Sequence, residues 1–128
     1  MYRAGDCIFI ETNYYQDGRS KAHLFVVLLD AFSSNDETII VPIDKIPKKG
    51  FYDKTTILNI GDHDFIKEQS YINYNQGVIR KKAWLDNNAR KRQPPFSDEI
   101  VKRICSGIQK SAHTPYDVMD MFSFRNLL

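Results

Sequence analysis

Four consecutive residues, Gly61-Asp62-His63-Asp64, set an imidazole between two carboxylates. A turn that needed only Gly and Asp for its backbone shape would have no use for the ring, so His63, flanked by Asp62 and Asp64, reads as a candidate for proton transfer. The plainer reading is a capped turn, in which Asp62 caps the backbone, His63 bonds a carbonyl and Asp64 pairs with Lys67 at the surface. The sequence leaves both open. The loop joins two strand-like runs, 55–60 and 70–79, so two neighbouring strands would hold it in place.

The elements before this loop are also short and β-like. Gly5-Asp6 reads as a turn feeding a strand over Cys7-Ile8-Phe9-Ile10-Glu11. The loop 12–21 carries Tyr14-Tyr15, which would either stack on a flat ligand or close one end of a barrel. Leu24-Phe25-Val26-Val27-Leu28-Leu29 is continuously apolar, which predicts a central strand buried on both faces. A turn at 33–36 leads to Thr38-Ile39-Ile40-Val41, and Pro42 is expected to end regular pairing or mark an edge. A charged linker, 43–50, follows. Five strands are therefore predicted before residue 80.

The C-terminal third reads as helical. After Pro94-Pro95, Ser97 is an N-cap, Asp98 and Glu99 suit the positive end of the dipole, and Phe96 and Val101 form a hydrophobic staple. Ile100, Val101, Ile104, Cys105 and Ile108 make a stripe at helical spacing, so this helix should pack on the sheet. Thr114, Pro115 and Asp117 repeat the start signal for a short helix through Phe122, with His113 just before it read as structural. Tyr116, Val118, Met119, Met121, Phe122 and Phe124 spread almost all round that helix, the pattern of deep burial or of a subunit or partner interface, and the interface is favoured. The chain divides into a β domain with its helix, 1–112, and a short C-terminal segment, 113–128.

Composition sets limits. With 42% apolar and 12% aromatic residues in 128, one domain with a real core is expected and disorder is not. Eighteen Lys and Arg against 16 Asp and Glu give a net charge of +2, so any nucleic-acid surface must be local. Cys7 and Cys105 read as two reduced, buried thiols, and no Cys-x-x-Cys or His-x-x-x-His pair suggests a metal. No signal-like apolar block opens the chain and no apolar run approaches the ~18 residues of a membrane span, so a cytoplasmic location is expected. Residues 80–92 concentrate Arg80, Lys81, Lys82, Arg90, Lys91 and Arg92 against Asp86 alone. Such a run is usually a solvated surface, but Trp84, Tyr71 and Tyr74 nearby add the stacking faces that single-stranded nucleic acid requires.

Five strands with long loops and C-terminal helices fit a small, strongly bent antiparallel sheet or partial barrel. The order Gly5-Asp6 then strand, Lys21-Ala22-His23 then 24–29, and Ile40-Val41-Pro42-Ile43 resembles the PemK/MazF-like growth-inhibitor superfamily, the toxins of bacterial toxin–antitoxin pairs. Gly61-Asp62-His63-Asp64-Phe65-Ile66, followed by Ser70-Tyr71 and Tyr74, is similar to a more specific motif, the Gly-Asp-His-Pro-Phe-Ile signature of an uncharacterised PemK-like branch. The resemblance covers roughly residues 4 to 110. It implies an SH3-like barrel, a homodimer, an antitoxin protein as partner and metal-independent cleavage of single-stranded RNA without a cofactor. Better-known members have an Arg opening the second strand and a Thr or Ser closing the third. Here His23 stands for the Arg, Leu24 for the Pro that follows it, and Asp44 for the hydroxyl residue.

Metal-free RNA cleavage needs a base for the 2′-hydroxyl, an acid for the 5′-oxygen and cations for the phosphate. Imidazole titrates near pH ~6.5, so His63 or His23 suits either proton task. Asp62, Asp64 or Asp44 would orient the ring, and Arg80, Lys82 or Lys21 would hold the phosphate. The expectation is that His63 and His23 share one concave face with Arg80. The alternative is a non-catalytic module that binds nucleic acid or protein through Tyr71, Tyr74, Arg80, Lys82, Arg90 and Arg92.

Overall fold

The computed structural model describes residues 1–12 and 21–126. The expectations for Tyr14, Tyr15 and the Lys21 side chain lie outside the described residues. The elements run β1 (Cys7–Thr12), β2 (Lys21–Val27), β3 (Glu37–Lys45), β4 (Ile57–Leu58), β5 (Ser70–Ile72), a 3-10 turn (Tyr74–Gln76), β6 (Val78–Lys81), α1 (Lys82–Asn88), β7 (Ala89–Arg92), α2 (Asp98–Lys110) and α3 (Tyr116–Asn126). The chain is β-rich, with an antiparallel sheet ordered β4-β5-β3-β2-β1-β7 and β6 also paired to β3. The sheet is open among the described residues.

β3 is the strand on which the others depend. Its first half pairs with β6 from Glu37↔Lys81 to Ile40↔Val78, and its last three residues pair with β5 from Ile43↔Ile72 to Lys45↔Ser70. β3 runs on through Pro42, but regular pairing ends there, as expected from the missing N–H: the register with β2 stops at Phe25↔Pro42, and Pro42 falls between the β6 and β5 registers. There the partner chain leaves for the 3-10 turn, and the Pro42 carbonyl still accepts from Asn73 N at 3.0 Å. The run 70–79 is accordingly two strands and a turn rather than one strand. The run 55–60 contracts to β4, and 80–92, expected as a surface run, supplies the end of β6, all of α1 and the edge strand β7.

The apolar run beginning at Leu24 is buried on both faces, as its continuity predicts. Val26 joins Cys7, Val41, Ile104, Ile108, Val118 and Phe122 in a core under α2 and α3. Phe25 and Val27 join Ile8, Ile10, Ile40 and Leu85 in a second core on the other side, with Tyr2 closing it. Alternation along each strand divides its side chains between the two cores.

α2 begins as its sequence predicts. Ser97 accepts from Ile100 N at 3.2 Å, and Ile100, Ile104 and Ile108 face the core. α3 runs to Asn126, past the expected end at Phe122. It is neither fully buried nor wholly a surface. Val118 and Phe122 enter the core, whereas Tyr116 and Phe124 stand exposed. The Thr114 hydroxyl donates to the Ile108 carbonyl at 2.8 Å, tying the residues before α3 to the end of α2. No helix among the described residues is long and apolar enough to cross a membrane.

Tyr74 ties the sheet to α2. The residue is fully buried, and its hydroxyl donates to the Ile104 carbonyl at 2.7 Å and lies 2.8 Å from the Thr56 hydroxyl. The expected base-stacking role of Tyr74 is therefore corrected, because the ring has no accessible face. The phenol reaches the helix only because residue 107 is Gly: a Cβ there would land on the Tyr74 hydroxyl. Gly107→Ala should destabilise the fold by about 2 kcal/mol or more, although Ala favours a helix by ~1 kcal/mol over Gly, and urea unfolding would measure it.

Asp53 joins the β4 approach to the end of α2. It is buried, and burial alone would raise its pKa. Hydrogen bonds from the Ser111 hydroxyl and from the Thr55 hydroxyl and N–H outweigh that, holding the carboxyl below its ordinary 3.8. The folded state thus binds this proton less readily than the unfolded chain, so the stabilisation is present above the ordinary carboxylate range and fades as pH falls below about 4. In Asp53→Asn the dependence of Tm on pH in this acidic window should flatten.

Candidate active site

β2 and β3 part company at Phe25↔Pro42, the last pair of their register. Beyond it β2 stays with β1, out to Thr12↔Lys21, while β3 turns to β5. The wedge between them is a cavity of about 330 Å³. Phe9, Leu24, Ile43, Phe65 and Ile66 line it with apolar surface, and His23, Asp44, Lys45, Lys67, Glu68 and Ser70 supply the polar groups.

Continuing the lost register two residues outward brings His23 opposite Asp44. The side chains meet with Nδ1 and Oδ1 3.7 Å apart, 22% and 27% exposed. At this distance the contact is longer than a hydrogen bond, and it sets a carboxylate beside one ring nitrogen. Asp44 Oδ2 accepts from Asn73 Nδ2 at 2.8 Å, which fixes the carboxylate from the far side. Tyr71 is the cross-strand partner of Asp44, and its phenol is pushed up from its ordinary value by burial and then by the charges of Asp44 and Asp53. It stays protonated at neutral pH, a hydrogen-bond donor beside the pair. Lys45 reaches Glu68 at 3.8 Å on the rim.

His63 lies behind this cleft rather than in it. Its Nδ1 accepts from Phe65 N at 3.1 Å, so the neutral ring carries its proton on Nε2, which donates to the Pro94 carbonyl at 2.7 Å. The ring packs on Phe96 with centroids 4.2 Å apart, and on Phe65, whose other contact is an edge-to-face pair with Phe9 across 5.3 Å. Both ring nitrogens thus serve the backbone, and the imidazole holds the Phe65 wall of the cleft against the segment entering α2.

The neighbouring carboxylates do not orient His63. Asp62 accepts from Asn59 N at 2.7 Å and lies 3.8 Å from Arg103, while Asp64 is exposed. Arg80 is not part of the cleft either. Its guanidinium stacks over Trp84 at 4.8 Å and donates to the Ile79 carbonyl, with Nε buried and unpartnered. Lys82 pairs with Asp86 at 2.8 Å, Arg90 with Glu11 at 3.7 Å, and Arg92 is exposed on the edge strand. The structure therefore joins His23 and Asp44, with Tyr71 across the strand from Asp44, and leaves His63, Arg80 and the 80–92 cations outside that cluster.

Among the described residues no group of three or more His, Cys, Asp or Glu side chains converges to hold a metal ion. Burial raises the Cys105 thiol to about 11, and burial followed by the charge of Asp6 raises Cys7 to about 12, so neither is a nucleophile at neutral pH. No family model matches the chain, and no curated protein or solved structure does either.

Sequence reading missed Phe9, Lys45, Lys67 and Asn73 as parts of this site. Phe9 reads as an ordinary residue of an apolar strand, and Lys45 as part of the charged linker 43–50, which the structure instead makes the end of β3 as far as Lys45. Asn73 gives no local signal, because its role exists only where β5 meets β3. His63→Ala should remove two hydrogen bonds and a ring from a buried site, lowering stability by about 2–4 kcal/mol in a denaturant titration. Asp64→Ala, one residue along, should change it by less than about 0.5 kcal/mol.

Proposed function

We propose that this chain is a toxin-like, metal-independent endoribonuclease that cleaves single-stranded RNA in the His23–Asp44 cleft. The reading rests on one observation: the two positions picked out by the PemK/MazF-like resemblance meet at 3.7 Å in a cleft that also holds Lys45 and Lys67. The passage of β3 from β6 to β5 around Pro42 supports reading the sheet as a PemK-like variant of an SH3-like barrel. A homodimer, an antitoxin protein partner and a cytoplasmic location belong to the same proposal, with the exposed Tyr116 and Phe124 of α3 as contact surface.

His23 acts as the base. It takes the proton of the 2′-hydroxyl as that oxygen attacks phosphorus, and Asp44 stabilises the imidazolium that forms. Lys45 and Lys67 offset the charge gathering on the phosphoryl oxygens. The bond from phosphorus to the 5′-oxygen breaks, and a lysine ammonium on the rim gives that oxygen its proton. The products are a 2′,3′-cyclic phosphate and a 5′-hydroxyl. The apolar walls keep water from competing with the 2′-oxygen.

His23→Ala should lower the rate of cleavage of a mixed single-stranded RNA by about 10²–10⁴-fold. Asp44→Asn should lower it by a smaller factor, with cyclic-phosphate ends on the products and no effect of chelator in either case. Cleavage that stops with chelator would end the metal-free mechanism. Binding without cleavage, unchanged by His23→Ala, would move the function to the non-catalytic module.

A further inference from the structure

A second cavity, of about 270 Å³, opens on the other side of Asn73. The residue that fixes the Asp44 carboxylate is thus also a wall of this cavity, and Tyr71, the cross-strand neighbour of Asp44, is another. The cavities have separate linings, and they are linked through Asp44 of the first, which meets Asn73 and Tyr71 of the second. Neither the resemblance nor the cleavage chemistry above accounts for the second one.

Its walls are flat rings. Tyr52 and Tyr71 stand with centroids 5.4 Å apart, Phe51 and His113 meet edge to face at 5.1 Å, and all four line the cavity. Phe51 is 78% exposed, an unusual position for a phenylalanine with a cavity beside it. The amides of Asn73 and Asn75 offer both donors and acceptors, and the Asp53 carboxylate, already bonded to Thr55 and Ser111, completes the lining. Lys54 reaches over the Tyr52 ring at 5.4 Å, placing a cation near the mouth. The volume is below the ~300 Å³ at which pockets for larger ligands begin, so one ring system fits rather than an extended molecule. Stacking faces, amide edges and a cation together are what an unpaired nucleotide requires.

We propose that the cavity lined by Phe51, His113, Tyr52 and Tyr71 is a nucleobase subsite, holding the base next to the phosphate engaged at His23 and Asp44. The assignment rests on reading that cleft as the phosphodiester site. Tyr71 and Asn73 carry the strand from one cavity to the other, so the base stacked beyond them fixes which phosphate reaches His23.

The test uses the full chain and a non-cleavable 2′-O-methyl RNA tetranucleotide, with the imidazole proton signals of His23, His63 and His113 followed by NMR. The expected result is that His23 and His113 both shift at one common Kd while His63 does not. Phe51→Ala, at an exposed position, should weaken that Kd by about 5- to 100-fold and leave the unfolding midpoint unchanged. Shifts at His23 alone, or full affinity in Phe51→Ala, would overturn the subsite and leave the cleft reading standing. Shifts at His113 alone would overturn the cleft reading and with it the linked assignment, and no shift at either would overturn both.

Discussion

A strand has two edges, and β3 needs three neighbours. Its nine residues lie against β2 on one edge and against β6 and then β5 on the other. Following β5 past Pro42 takes β3 away from β2, and β2 cannot follow because a six-pair register holds it to β1. The gap between them has no backbone partner to fill it, so side chains do. The groups of the candidate site come from the parting ends of β2 and β3, from Phe9 of β1, and from the stretch 65–73 that includes β5.

The wall of that gap is held from outside. His63 accepts from one backbone N–H and donates to a carbonyl 31 residues along the chain, with Phe96 packed on its face. A buried polar ring is tolerated because both nitrogens are satisfied, and an aliphatic residue of the same size would leave an N–H and a carbonyl without partners. The loop motif that looks most chemical in the sequence is therefore accounted for by structure, and the proposed chemistry falls on two residues whose surroundings in the sequence are plain.

The strands near the N-terminus and α2 were legible because their signals are local. Continuous apolarity marked a doubly buried strand, and Ser97 with a stripe at helical spacing marked a capped, one-sided helix. The division of 70–79 was not legible, because Tyr71, Ile72 and Tyr74 read as one β run. Only the packing of Tyr74 against α2, some 30 residues away, turns the chain inward there. β7 was missed for a similar reason: four basic or small residues become a strand only through the free edge of β1. His23 and Asp44 were named through the resemblance, and no local feature of either announces the other. Their pairing is a property of register, which side-chain pattern records only when the strands stay together.

The fit of Tyr74 into the space left by Gly107 bears on how the chain is able to change over time. Position 107 is closed to every side chain while the tyrosine is in place, since the phenol ring and the Thr56 hydroxyl occupy the volume a Cβ would need. Position 74 carries no such restriction, because a smaller residue there leaves a void rather than a collision. A side chain at 107 therefore requires the tyrosine to be lost first and Thr56 to shift as well, and a lineage that has gained one must restore Gly107 before the tyrosine can return.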